Sequence, residues 1–127
     1  EYVEYKIKKI ADSSDAPTIQ LVRNPDILRE VVELRQKTGA GARLIVGFAA
    51  ETGSAERTPL ELGREKLVRK GCDFLALNTV GVNQGFGTDE NTITLLSSFT
   101  DREPVFSGSK QVVSDQILRT LAQYVKP

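Results

Sequence analysis

Residues 43–78 read RLIVGFAAETGSAERTPLELGREKLVRKGCDFLALN, and this stretch decides the fold. Arg43–Ala49 is a continuous apolar run, the pattern of a strand buried on both faces. Residues 51–55 carry Gly and Ser and read as a loop. A helix then starts with a capping box: Thr58 at the N-cap, Pro59 at N1 and Glu61 at N3. It runs to Lys70, and Gly71 is the glycine expected just past its end. Asp73–Asn78 is a second buried strand. The unit is strand, helix, strand, which calls for a parallel pair with the helix packed on one face.

Upstream, Thr18–Arg23 places Ile19 and Leu21 on one face and is predicted as a strand. Asn24 is the expected N-cap of the next helix, with Pro25 at its first position. Ile27, Leu28, Val31, Val32 and Arg35 follow at helical spacing, and Gly39 and Gly41 end the helix by Thr38. Downstream, Thr79–Asn91 is rich in Gly, Asn, Asp and Thr and reads as a long loop. Thr92–Ser97 alternates as a strand, Asp101–Arg102 turns the chain, and Pro104–Phe106 returns as an edge strand. Ser109 caps a final helix whose stripe is Val113, Ile117, Leu121 and Val125. The expected fold is α/β: a Rossmann-like three-layer sheet of mostly parallel strands, helices on both faces and a C-terminal hairpin. With so few central strands it is expected to be an incomplete half of a larger domain. Ligands of such sheets lie beyond the carboxyl ends of the strands, here Asn24–Leu28, Phe48–Gly53 and Asn78–Asp89.

Composition removes several functional classes. The 127 residues carry 17 Lys plus Arg and 17 Asp plus Glu, so no excess positive charge supports general nucleic-acid binding. With no His, His metal sites, His general bases and Ser/His triads all drop out. The single Cys, Cys72, permits no internal disulfide and reads as a small buried hydrophobe. The longest apolar run, Leu44–Ala50, is too short to span a bilayer, and no charged and apolar leader opens the chain. The expected compartment is the cytoplasm.

Lys66 and Lys70 stand i, i+4 on one helical face. They suit a polyphosphate, although solvated surface lysines share that spacing. Lys6-Ile-Lys8-Lys9 either neutralises phosphates or guards an edge against aggregation. Asn24-Pro25-Asp26 presents backbone N–H groups to an anion, or simply starts a helix. Phe48 either stacks on a ligand or sits in the core, and the small residues beside it let a ligand approach the backbone. Glu51 either binds a metal or faces water. Gly85-Phe86-Gly87 is an isolated pair of glycines with no dinucleotide-binding helix after it. A receiver-type signalling domain is excluded, because Arg23-Asn24-Pro25 supplies no acidic cluster.

In this order, Lys6-Ile-Lys8-Lys9, Asn24-Pro25-Asp26-Ile27, Gly47-Phe48-Ala49-Ala50-Glu51-Thr52, Lys66…Lys70-Gly71, Asn78 and Gly85-Phe86-Gly87-Thr88-Asp89-Glu90-Asn91 resemble phosphopantothenoylcysteine synthetase. That is the ligase part of the bacterial bifunctional decarboxylase/synthetase of coenzyme A biosynthesis. The resemblance runs from Lys6 to the last helix and covers the carboxyl-terminal half of the synthetase domain, with residues 1–17 as a basic arm and the upstream half absent. It implies a CTP-dependent ligase, acting with that upstream half, that joins 4′-phosphopantothenate to cysteine through an acyl-cytidylate. This chain alone would be inactive. By the same resemblance, Lys6 contacts the nucleotide phosphates and supports carboxylate activation. Pro25, Asp26, Ile27 and Leu28 read the cytosine, Phe48 lines the nucleotide pocket, and Lys66 and Lys70 reach the phosphates. Mg²⁺ would accompany CTP, FMN would belong only to an upstream decarboxylase domain, and the oligomer would be a homodimer. No nucleic acid and no membrane are expected as partners. Leu77-Asn78-Thr79 stands where many relatives have Ala-Asn-Asp, so a carboxylate is missing there. The alternative on the same fold is a non-catalytic nucleotide-binding or oligomerisation module.

Overall fold

Phe74, Leu75, Ala76 and Leu77 are each at most 1% exposed, and the layers of the molecule are built on them. The computed structural model describes residues 18–79 and 90–125. The elements are α1 (Ile27–Thr38), β1 (Val46–Glu51), α2 (Pro59–Lys70), β2 (Phe74–Thr79), β3 (Glu90–Ser97), β4 (Val105–Ser109) and α3 (Lys110–Ala122). The sheet order is β1-β2-β3-β4. β1 and β2 run parallel, with Val46 opposite Phe74 and Glu51 opposite Thr79. β3 and β4 add antiparallel, and β4 is the second strand of the C-terminal hairpin.

Alternation along β2 divides the core into two layers, as period-2 geometry requires. Leu75 and Leu77 join Val32 of α1, Leu67 of α2 and Leu96 of β3, with Leu28 and Leu60 against them. Phe74 and Ala76 join Ile93 and Leu95 of β3 and Val113 and Ile117 of α3, with Phe106 and Leu121 at the margin. Helices therefore cover both faces, giving the three-layer α/β arrangement expected from the sequence. α2 lies close to the sheet because residue 63 is glycine: a Cβ there would come within 2.7 Å of Leu77 Cδ2.

The local signals act as read around α2 and α3. Thr58 and Glu61 form the reciprocal capping box, and Gly71 takes the left-handed conformation with φ 71°. Ser109 caps α3 by accepting from Val112 N–H at 3.2 Å. Four expectations are corrected. α1 is capped by Asp26, whose Oδ1 accepts from Arg29 N–H at 3.1 Å, so Pro25 precedes the helix instead of opening it. A carboxylate at an N-cap also meets the positive end of the helix dipole, an advantage Asn24 lacks. Thr18–Arg23 is not a strand. Ile19 and Leu21 are 75% and 89% exposed, because no strand among the described residues lies beside the segment, and a strand without a partner is not stable. β1 is not buried on both faces: Phe48 is 76% exposed, and among the described residues the strand stands at one edge of the sheet. Val125 extends the α3 stripe only beyond the helix and is 44% exposed.

Asp73 pins the amino ends of β1 and β2. Its carboxylate accepts two bonds from Arg35 of α1, at 2.7 and 3.0 Å, and one from Ile45 N–H at 2.8 Å. Its backbone N–H donates to Ile45 O at 2.9 Å, and its carbonyl accepts from Ser98 N–H at 2.9 Å. The Asp73 carboxylate holds the Arg35 guanidinium still further toward its charged form. Asp73→Ala would leave Arg35 only long contacts to the Ala42 and Arg43 carbonyls, both 3.4 Å, and would strand Ile45 N–H. We expect a loss of about 2–4 kcal/mol in urea unfolding, with Asp73→Asn losing about half as much because it keeps an acceptor. A loss below about 1 kcal/mol for the alanine variant would contradict this role.

Candidate functional site

The carboxyl end of β1 and the start of α1 carry two ion pairs that share α2. Lys66 Nζ bonds Glu51 Oε1, and Lys70 Nζ bonds Asp26 Oδ2. Lys66 and Lys70 stand one turn apart on α2, so one helical face presents both ammonium groups. Glu51 is the last residue of β1, and Asp26 is the cap of α1. Lys66, Glu51 and Lys70 keep between 18% and 28% of their side-chain surface, and Asp26 keeps 40%. The hydrogen bond from Lys70, reinforced by the Arg29 N–H, holds the Asp26 carboxyl below its ordinary value of 3.8.

Other anticipated residues lie differently. Leu28 packs into the core, and its Cδ2 would come within 2.9 Å of a Cβ at Gly47. The small residue at 47 therefore serves helix packing, which corrects the expectation that it admits a ligand. Ile27 is 71% exposed, and Pro25 is exposed before the helix. Phe48 is on the other face of the sheet from the lysines, beside a cavity of about 210 Å³ lined also by Asn91, Ile93, Lys110, Val113 and Ile117. Lys6 and the rest of residues 1–17 lie outside the described residues, as do residues 80–89 with Gly85-Phe86-Gly87. Cys72 is 2% exposed, and burial pushes its thiol up, so it is packing and not a nucleophile.

Glu51 and Asp26 as lysine partners were not foreseen. Glu51 precedes Lys66 by 15 residues and Asp26 precedes Lys70 by 44, and no local spacing rule links such positions. The only advance signal was topological, since both acids fall in segments assigned to the ligand edge.

The whole chain but its last two residues, 1–125, matches the family described as the DNA/pantothenate metabolism flavoprotein C-terminal domain. The chain belongs to this family. Among similar curated proteins are three each named coenzyme A biosynthesis bifunctional protein CoaBC. That of Mycolicibacterium smegmatis is 43% identical over 122 residues, 95% of this chain and 29% of the relative. That of Mycobacterium tuberculosis H37Rv is 40% identical over 121 residues, 94% of this chain and 28% of the relative. That of Escherichia coli K12 is 36% identical over 114 residues, 89% of this chain and 26% of the relative. The chain thus spans less than a third of the length of the relatives it matches.

These findings correct the expected identity. The family description names a flavoprotein of pantothenate metabolism and neither a synthetase nor a CTP-dependent ligase. That description overturns the assignment to phosphopantothenoylcysteine synthetase, the ligase activity with its acyl-cytidylate, Mg²⁺ with CTP as cofactor, and the expectation that FMN would belong only to an upstream domain. The alternative of a non-catalytic nucleotide-binding or oligomerisation module gains no support from the relatives either. What the matches retain of the expectation is coenzyme A biosynthesis.

The word flavoprotein raises the question of a flavin. A planar ring system needs a flat slot with a face on each side. Phe48 is the one aromatic side chain lining its cavity, and no second flat face stands opposite it among the described residues. The cavity beside Phe48 therefore builds no flavin slot.

The Asp26–Lys70 pair makes stability depend on pH in a defined sense. The folded carboxyl titrates below the unfolded one, so the contribution is fully present above 3.8 and is lost as pH falls through the depressed folded value. Asp26→Asn should therefore lower Tm near neutral pH, and the difference from the parent should vanish in strong acid. A difference that persists unchanged at low pH would assign the effect to capping alone.

Proposed function

We propose that this chain supplies a phosphate-binding edge to a protein of coenzyme A biosynthesis, and that its ligand is a phosphorylated derivative of pantothenate. The observation that carries this is the pair of ammonium groups on one face of α2, each oriented by a carboxylate at the ligand edge of the sheet. An ammonium has three donors. Lys66 and Lys70 each commit one to a carboxylate, which leaves two apiece for phosphate oxygens. The carboxylates lower the entropy lost on binding by holding the long side chains in place. They also offset part of the positive charge, so selectivity for phosphate comes from oriented donors more than from net charge.

The start of α1 adds to the same site. Its first N–H groups and its dipole favour an anion, and Lys70 meets the helix there through Asp26. Pro25, Ile27 and the Asp26 carboxylate would then contact the part of the ligand beyond the phosphate. The family description, which names pantothenate metabolism, supports the ligand class. The relatives' printed role in coenzyme A biosynthesis supports a cytoplasmic setting.

The test uses the full-length protein. Lys66→Gln with Lys70→Gln should weaken 4′-phosphopantothenate by about 100-fold in calorimetry, the equivalent of two charge-assisted contacts at ~1.4 kcal/mol each. Unphosphorylated pantothenate should be unaffected. Equal losses for the two ligands would leave the lysines only the role of holding Glu51 and Asp26.

A further inference from the structure

A second cavity lies at the other end of the sheet from Glu51 and Asp26. It measures about 470 Å³ and opens between the start of β2, the β3–β4 hairpin and the last turn of α3. Phe74, Leu95, Pro104, Phe106 and the ring of Tyr124 form its apolar lining, beside polar side chains that include Glu103 and Gln123. The Tyr124 wall is fixed in place. Its ring meets Phe74 edge-on, centroids 5.0 Å apart at 70°, and stacks on Phe99 at 5.8 Å and 18°. Such a wall offers a flat face without further ordering.

Charge at the rim is unbalanced. Arg102 lines the cavity, and among the described residues its guanidinium has no ion pair or hydrogen bond; only its backbone N–H is engaged, with Thr100 Oγ1 at 3.2 Å. The adjacent acid, Glu103, is taken by Arg64 through two bonds of 2.6 and 2.7 Å. That pairing holds the Glu103 carboxyl low and leaves it no part in balancing Arg102. A cavity of this size with aromatic walls and one unpaired cation suits a single ring carrying a short anionic arm. A planar guanidinium matches a carboxylate bidentately.

We propose that this cavity binds a small aromatic carboxylate, its ring against Tyr124 and Phe106 and its carboxylate on the Arg102 guanidinium. The site is separate from the lysine pairs of α2 and does not depend on them.

The full-length protein can be titrated with 3-phenylpropionate and, in parallel, with its neutral amide, followed by calorimetry and by NMR of Tyr124. The acid should bind about tenfold more tightly than the amide, the value of one charge-assisted contact. Arg102→Gln, a change at an exposed position, should bring the two to equal affinity. The Lys66→Gln, Lys70→Gln protein should bind the acid as the parent does. Equal binding of acid and amide by the parent would overturn the proposal. So would an unperturbed Tyr124 at millimolar acid, or loss of acid binding in the lysine variant.

Discussion

The carboxylate of Asp73 is the fixed point of this structure. It sits 8% exposed at the amino end of β2 and accepts from Arg35 and from Ile45 N–H. Through these bonds one residue joins the last turn of α1, the approach to β1 and the start of β2, and its backbone adds the end of β3. A buried carboxylate is costly unless its lone pairs are filled. Here three donors fill them, so each attached element is held in a register that minimises that cost. The parallel pairing of β1 with β2 begins immediately beyond this junction.

Fixing the amino ends leaves the carboxyl ends to carry variable chemistry. There the charges are arranged differently. Lys66 and Lys70 keep a quarter or so of their surface, and their partners Glu51 and Asp26 remain in contact with solvent. Pairs of this kind add little to stability. Their worth lies in orientation: two flexible side chains are held along one helix face, toward a segment that also ends in a helix N-terminus. The sheet thus has a rigid, desolvated ionic junction at one end and partly hydrated ones at the other. The aromatic cavity near Tyr124 lies at the same end as the Asp73 junction.

The chain belongs to a pantothenate-metabolism flavoprotein family. The cavity beside Phe48 builds no flavin slot. Phe48, expected beside the lysines, is across the sheet from them: Val46 packs toward α3 and Ala49 toward α1 and α2. Phe48 follows Val46 and Glu51 follows Ala49 by the two-residue period of the strand, and that parity alone separates the exposed ring from the charged face.

Much of the fold was legible in the residues themselves. Thr58, Pro59 and Glu61 fixed the start of α2 and Gly71 its end, because capping depends on atoms three or four residues apart. The apolar run of β2 declared a strand covered on both sides, and Val113 and Ile117 marked the buried face of α3. The lysine spacing on α2 was equally visible. What the sequence left undecided were the choices that need a distant partner. Thr18–Arg23 has a strand's alternation, yet no strand among the described residues flanks it. Asp26 displaced Asn24 as the cap, where the helix dipole favours a charge and Lys70 arrives from 44 residues away. Phe48 of β1, a strand at the sheet edge among the described residues, is exposed despite an apolar context. The ion pairs of Lys66, Arg35 and Arg64 join residues 15 to 39 positions apart. Local order follows from short-range sterics and hydrogen bonds that a sequence spells out, whereas burial and charge pairing follow from which surfaces meet, and only the folded chain determines that.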